Sequence, residues 1–368
     1  MKIELGFKKI KEVIVLLEKV ANKHQTLPVL SCILFDVVKN GVILRATNLD
    51  IGVEIFVPAK SDVIGTFAVP AKTLSLFISQ TQDQNQSVVI EFISGNLHIK
   101  TNKSKGVIKT VPVEDFPSIP KLKDCQEYQI SPEDFTQGLT AVFYSASISN
   151  VKPELSSVYI YKDNENLTFV ATDSFRLSEK KIKTPTTNKL NDILIPFKNI
   201  PDIIRVLGYL TSSMKVCANK NLISFENNGI YIVSRIIDGV FPDYRQIIPK
   251  SFTTEVVALK QDILNALKIS NIFSDKFNQV HMKIEPRTKL LEIQTKNSDI
   301  GENQTHIDAA LTGEAMEINF NYKYLIDGFQ SINTDSVTLQ FNGLNKPVVI
   351  KPVSGEQNFL YLVMPMNR

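Results

Sequence analysis

Three observations in this 368-residue sequence predict an α+β fold made of three copies of one module. First, segments recur at a nearly constant offset: Ala46-Thr47-Asn48 returns as Ala171-Thr172-Asp173 after 125 residues, Val69-Pro70 as Ile195-Pro196 after 126, and Phe116-Pro117 as Phe241-Pro242 after 125. A fixed long period marks a repeated supersecondary unit. Second, apolar residues recur at three- and four-residue steps in two short segments of each copy, the helical period. Third, the intervening segments alternate, are rich in Val and Ile, and break at Asn40-Gly41 and Gly95-Asn96, which suits antiparallel strands joined by tight turns.

In the first helix Phe7, Ile10, Ile14, Leu17 and Ala21 form the apolar stripe, with Lys8, Lys11, Lys19 and Lys23 off it. The strands CILFDVV, GVILRAT, VEIFVP, SVVIEFI, LHIKT and GVIKTVPV follow. In copy two, Ser131-Pro132-Glu133-Asp134 opens the equivalent helix: Ser is the N-cap, Pro suits the first turn, and the acids face the positive end of the helix dipole. The second helix starts after the Val69-Pro70 and Ile195-Pro196 steps. Copy three repeats the order more faintly, with VVALKQDILNALKIS at 256–270 and INFNYKYLIDGFQSI at 318–332. Pro-rich and polar links around 117–125 and 249–254 divide the chain into domains 1–121, 122–249 and 250–368.

The final stretch, FLYLVMPMNR, reads as a last core strand. Pro365 cannot donate to a ladder, so the strand stops near Met364 and leaves Pro365, Met366, Asn367 and Arg368 at the surface, where two methionines suit a soft binding wall.

Composition excludes several classes. With 43% hydrophobic and 21% charged residues the chain is neither disordered nor membrane-embedded, and no apolar run nears the roughly 20 residues of a spanning helix. The N-terminal MKIELGFKKIKE lacks a signal-peptide core, so a cytoplasmic protein is expected. Cys32, Cys125 and Cys217 lie far apart without CxxC spacing, which suggests neither a disulfide framework nor a zinc site. Net charge is +3 overall but graded: residues 1–121 carry 15 basic and 11 acidic residues, 122–249 carry 14 and 14, and 250–368 carry 12 and 13. A basic front and a slightly acidic back favour head-to-tail contact between copies.

No catalytic constellation assembles. His24, His98, His281 and His306 are scattered, and no nucleotide-binding, zinc-protease or serine-hydrolase motif occurs. Asp173 follows a strand, where an Asx turn would fix the next residues. What converges is apolar and basic: Thr172, Ser174, Phe175, Arg176 and Leu177 in ATDSFRL, Pro242, Arg245 and Ile247 in FPDYRQII, and Leu362, Met364, Pro365 and Met366 in the tail.

At these segments the chain resembles the bacterial DNA polymerase III beta subunits, the sliding clamps. ATDSFRL, FPDYRQIIPK and the terminal MPM carry the resemblance, with weaker matches in TLPVLSCILFDV and VPAKTLSLFI, in order along the whole chain. Phe175 stands where His is common in that family. The resemblance implies a non-catalytic processivity factor without cofactor or metal. It further implies a head-to-tail homodimer closing a ring of six similar domains around double-stranded DNA, held without sequence preference. The replicative polymerase, the clamp loader and repair factors would dock through short peptides in a pocket between domains two and three. On this sequence the pocket would comprise Leu155, Thr172, Ser174, Phe175, Arg176, Leu177, Pro242, Ile247, Leu362, Val363, Met364, Pro365 and Met366, with Arg176 bonding peptide backbone. The DNA-facing positions would be Lys8, Lys11, Lys19, His24, Lys152 and Lys198. The dimer contact would join Lys103, Lys105, Val107 and Ile108 to Ile272, Phe273, Asp299 and Glu302. A peptide-binding adaptor that forms no ring, and an enzyme using Asp173, Arg176 and Asp243, are the rival readings.

Overall fold

The computed structural model describes residues 1–21, 27–61, 63–81, 87–123, 125, 127–184, 191–353 and 358–366. Six α-helices occur among them: α1 (Phe7–Val20), α2 (Ala71–Gln80), α3 (Pro132–Val142), α4 (Ile200–Leu207), α5 (Lys260–Ile272) and α6 (Tyr322–Gln330). They fall in pairs along the chain, as the repeat requires. The Ser131 oxygen accepts from Asp134 N at 3.4 Å at the start of α3, the cap expected from its sequence. On α1 the apolar stripe is buried from Phe7 to Val20, but Ala21 is extended and closes the helix through its N–H to Leu17 O.

The chain forms two compact units, Met1–Thr136 with Lys198–Ile236, and Gln137–Phe197 with Ile237–Arg368. In the first unit an eight-stranded sheet runs, from edge to edge, Glu127–Ile130, Met214–Ala218, Leu222–Asn227, Ile230–Arg235, Ile51–Pro58, Gly41–Thr47, Cys32–Val38 and Gly65–Pro70. Its middle ladder pairs Ile230–Arg235 antiparallel to Ile51–Pro58, so copies one and two share one continuous sheet. A five-stranded sheet of Lys60–Ser61, Lys2–Gly6, Ser87–Ile93, Asn96–Lys100 and Lys105–Lys109 completes this unit. Phe67 stacks between Phe35 and Phe92 at centroid distances of 4.8 and 5.1 Å, a geometry that adds to area burial.

One expectation is overturned here. Cys125 and Cys217 are joined as a disulfide with a Cα–Cα separation of 5.8 Å, across 92 residues of chain, while Cys32 is a buried free thiol. Cys spacing gave no warning, because Glu127–Ile130 returns antiparallel to Met214–Ala218 and brings distant residues side by side.

In the second unit a nine-stranded sheet runs Ile193–Pro196, Ser157–Asp163, Asn166–Thr172, Arg176–Lys183, Phe359–Val363, Val348–Pro352, Ser336–Phe341, Thr254–Leu259 and Ala309–Gly313. Here the chain's last strand, Phe359–Val363, joins copy two to copy three through its ladder with Arg176–Lys183. A four-stranded sheet of Gly301–Ile307, Leu290–Asn297, Gln279–Glu285 and Met316–Asn321 lies in the same unit. Tyr361 is fully buried and donates its hydroxyl to Tyr324 O at 2.7 Å. Its ring lies so close to α6 that a Cβ on Gly328 would come within 2.2 Å of it. Gly328→Ala is therefore expected to cost about 1–3 kcal/mol through overpacking, read as an earlier urea midpoint, whereas an unchanged midpoint would mean that α6 shifts freely.

Candidate functional site

The second unit carries a cavity of about 600 Å³ where the loop after Thr172, the last strand and the linker Gln246–Lys250 meet. Its floor is the outer layer of a buried cluster. Leu177 and Leu362 face each other across the ladder and pack with Tyr161, Val170, Leu194, Phe241, Tyr244 and Val349.

The loop is shaped by its own polar side chains. Thr172 Oγ1 donates to Arg176 O at 2.7 Å and accepts from Ser174 N at 3.2 Å. Asp173 Oδ1 accepts from the N–H groups of Phe175 and Arg176 at 2.9 and 3.0 Å, the expected Asx turn. Ser174 sits at φ 79°, a left-handed conformation that these bonds hold. The Phe175 side chain is thereby displayed, 61% exposed. Met364 N donates to Phe175 O at 2.8 Å, which ties the tail to the loop.

The linker is anchored from below. Tyr244, in a 3-10 turn over Tyr244–Ile247, shares a 2.7 Å hydrogen bond with the Tyr161 hydroxyl and donates to Glu179, while Arg245 donates to Tyr161 Oη at 2.7 Å. Burial, and then the adjacent Glu179 carboxylate, raise the Tyr244 pKa, so its proton stays in place as donor.

Of the residues expected here, Thr172, Ser174, Phe175, Arg176, Leu177, Ile247, Leu362 and Met364 line the cavity. Five others do not, each for a local reason. Val363 is fully buried, because side chains alternate along the strand and it faces away from Leu362 and Met364. Leu155 is buried beneath the turn that follows α3. Pro242 precedes the 3-10 turn, and the end of the turn together with the residues after it, Gln246 to Lys250, forms the wall instead. Pro365 and Met366 are half-buried rather than surface-exposed, and Met366 N donates to Asn319 O at 2.8 Å. Asn367 and Arg368 lie outside the described residues. Sequence reading missed Gln246, Ile248, Pro249 and Lys250 of the linker and Asn342, Asn345, Lys346 and Pro347 of a third-copy loop. The IIPK ending of the linker was a usable signal; the loop had none.

Arg176 is also corrected. Its Nε donates to Asp173 Oδ2 at 3.0 Å, Nη1 to Asp327 Oδ2 at 2.6 Å and Nη2 to Tyr144 O at 2.6 Å, and the guanidinium lies 4.4 Å from the Tyr324 ring centroid. Burial would lower its pKa, but Tyr361, Asp173 and Asp327 outweigh this and the charge is held. The residue is a brace for the loop rather than a free donor to a peptide backbone.

Two sheet edges carry the other expected contacts, one in each unit. In the first unit Lys105–Lys109 ends the five-stranded sheet, with Lys103 and Lys105 exposed and Val107 62% exposed. Ile108 points to the opposite face and is buried in its own core. In the second unit Gly301–Ile307 ends the four-stranded sheet, with Glu302, Asp299, Ile272 and Ile300 exposed and Phe273 half-buried.

Behind that edge strand, buried Glu292 accepts from Gln294 and Gln304 and lies 3.3 Å from His306. Burial pushes its pKa up, but those hydrogen bonds and the charges of His306 and Lys283 more than offset it, so the carboxyl titrates below its ordinary range. A depressed carboxylate stabilises the fold above its unfolded pKa of about 4.3 and loses that contribution as pH falls through the folded value. The stability gap between the wild type and Glu292→Gln, followed by urea unfolding, is therefore expected to close below about pH 4. A gap that stays constant would mean that Glu292 titrates normally.

The basic positions differ among themselves. Lys8, Lys19 and Lys152 are exposed, Lys19 pairs with Glu18 at 2.9 Å, and Lys198 pairs with Asp50 at 2.7 Å. Lys11 is half-buried and donates to Ser79 O at 3.2 Å. His24 lies outside the described residues. No cluster of three or more potential metal ligands occurs among the described residues, and no helix there is long and apolar enough to cross a membrane.

Profiles of three successive domains of one protein match the chain end to end: DNA polymerase III beta subunit N-terminal domain over residues 1–120, central domain over 129–243 and C-terminal domain over 245–367. The chain belongs to the DNA polymerase III beta subunit family. The beta sliding clamp of Synechocystis sp. is 26% identical over 373 residues, covering 95% of each chain, and that of Synechococcus elongatus is 26% identical over 330 residues, covering 88% of this chain and 87% of the relative. The beta subunit structure from Thermotoga maritima shares the fold with a TM-score of 0.93 at 24% identity, over 100% of this chain and 99% of that one. A Pseudomonas aeruginosa clamp bound to griselimycin matches with a TM-score of 0.92 at 23% identity over the whole of both chains. Membership makes the chain a sliding clamp, a processivity factor of DNA replication and not a catalyst.

Proposed function

We propose that the chain comprises modules 1–121, 122–249 and 250–368, dimerises head to tail into a six-domain ring around duplex DNA, and tethers the replicative polymerase, clamp loader and repair factors through the second-unit cavity. The carrying observation is that cavity: an apolar floor of Leu177 and Leu362 beneath exposed Phe175, Ile247 and Met364, the form that takes apolar anchors of a short peptide. The sheet edges at Lys105–Lys109 and Gly301–Ile307, which have no further strand beside them among the described residues, support closure, since Lys103 and Lys105 mark one and Asp299 and Glu302 the other. Lys8, Lys19 and Lys152 supply a modest positive surface, which suits DNA held by topology better than tight phosphate contacts would.

Light scattering across a dilution series tests closure: twice the chain mass, constant with concentration, is expected, and a monomer throughout favours the adaptor reading. Reversing Lys103 and Lys105 to Glu is expected to weaken that dimer. Met364→Ala is expected to lower partner-peptide affinity by about tenfold with the dimer intact, from lost apolar burial. Unchanged affinity would remove the cavity from the proposal.

A further inference from the structure

The first unit contains a second version of the loop that shapes the cavity. Thr47 Oγ1 donates to Ile51 O at 2.7 Å and accepts from Leu49 N at 3.1 Å, and Asn48 Oδ1 accepts from Asp50 N and Ile51 N at 3.0 and 2.8 Å. These are the bonds of Thr172 and Asp173, one for one. Leu49 has φ 75°, matching Ser174 at φ 79°. The flanking ladders agree as well: Ser234 lies opposite Ile51 as Val363 lies opposite Arg176, which puts Val233 at the place of Leu362 and Arg235 at the place of Met364. Beside this loop a cleft of about 420 Å³ opens, with Leu49, Ile51, Pro117, Pro120, Leu222 and Val233 among its walls and Arg235 at its margin.

Three differences give this cleft its own chemistry. Leu49 replaces Ser174, so a large apolar side chain is held 43% exposed in a left-handed conformation that only glycine adopts freely. A strained residue that presents an apolar surface to water points to a use for that surface. Arg235 replaces Met364. Its Nε donates to Leu49 O at 3.0 Å, and its terminal nitrogens have no partner among the described residues, while the nearby Asp50 is already paired with Lys198. Finally, the linker is shorter, six residues in Phe116–Lys121 against ten in Phe241–Lys250. It lays Ile119 over Gly52, where a Cβ would meet the Ile119 side chain at 2.8 Å, so the linker side chain covers the strand position that Leu177 holds in the second unit, and Pro117, Ser118 and Pro120 of the same linker line the cleft.

We propose that this cleft is a second peptide-binding site, for an extended segment with a leucine-sized side chain followed within two residues by a carboxylate. The apolar side chain packs against Leu49 and Pro120, and the carboxylate accepts from the free end of Arg235, a charge-assisted bond stronger than a neutral one. The inference rests on reading the second-unit cavity as a peptide pocket.

The test is fluorescence anisotropy on the full-length protein with the probe fluorescein-Gly-Ser-Leu-Asp-Glu-Ser-amide. Saturable binding to the Met364→Ala protein is expected, about tenfold weaker in Leu49→Gly and in Arg235→Gln, and about tenfold weaker for the probe with Asn and Gln in place of its acids. Leu49→Gly suits the left-handed position, so a loss there reports the side chain and not the fold. No saturation of Met364→Ala up to about 1 mM probe, or an affinity that Leu49→Gly and Arg235→Gln leave unchanged from that of the Met364→Ala parent, overturns the second site. Probe binding lost in Met364→Ala alone places the peptide in the second-unit cavity, which overturns this site and leaves the proposed function standing. Probe binding that needs Leu49 and Arg235, with partner peptides indifferent to Met364→Ala, supports this site and removes the other.

Discussion

Replacing Arg176 by Ala is expected to destabilise the second unit by about 3 kcal/mol, the lower end for breaking a buried ion pair. The side chain is 10% exposed, and its removal leaves Asp173 at 14% exposure with an unpaired charge and Tyr144 O without its donor. Asp327 is 37% exposed and recovers part of its solvation, which is why the upper end is not expected. Arg176→Lys is expected to fall in between, since a point charge cannot serve three acceptors in a plane. Urea unfolding of the three proteins, followed by a probe in the second unit, reads the order directly. Because Asp173 also holds the N–H groups of Phe175 and Arg176, the loop keeps part of its shape, and peptide affinity is expected to fall along with stability rather than vanish. A loss below about 1 kcal/mol would mean that water already screens the network, and Arg176 would then be available to a ligand.

How much was legible in the sequence depended on the range of the interaction. The helices and most strands followed from local periodicity: Cys32–Val38, Gly41–Thr47 and Ser87–Ile93 are the strands that alternation predicts, and the Ser131 cap and the Asp173 turn are set by neighbours within three residues. The ATDSFRL loop was legible as a site because one short segment supplies most of its shape. Facing was harder. Val363 and Ile108 lie next to expected site residues in sequence, yet the two-residue period of a strand sends each to the opposite side from the residues beside it. Partners far along the chain left no local trace. Asp327 lies 151 residues from Arg176, and the walls from Asn342 to Pro347 reach the cavity only because Phe359–Val363 pairs with Arg176–Lys183. The second loop at Thr47 was visible as a repeat, but its meaning depended on Arg235, which meets Leu49 across 186 residues.

Reducing the Cys125–Cys217 bond, or making Cys125→Ser, is expected to lower the stability of the first unit by about 4.5 kcal/mol, from the entropy released when a loop of this length opens in the unfolded chain. For a unit of this size that corresponds to about 10 °C in Tm. The effect should concentrate at Glu127–Ile130, an edge strand whose one neighbour in the sheet is Met214–Ala218. Cys32 serves as the internal control: it is buried, and burial raises its thiol pKa, so alkylation of the reduced native protein is expected to mark Cys125 well before Cys32. Intact mass under non-reducing conditions, then melting with and without dithiothreitol, separates the possibilities. Coincident melts from a protein that carries the bond would mean that the folded unit strains against it or that the unfolded chain is already compact. Three free thiols in a protein purified without reductant would mean that the two cysteines meet as neighbours and not as a bond. Because such bonds persist only under oxidising conditions, a 10 °C difference would also make the stability of this unit follow the redox poise around it.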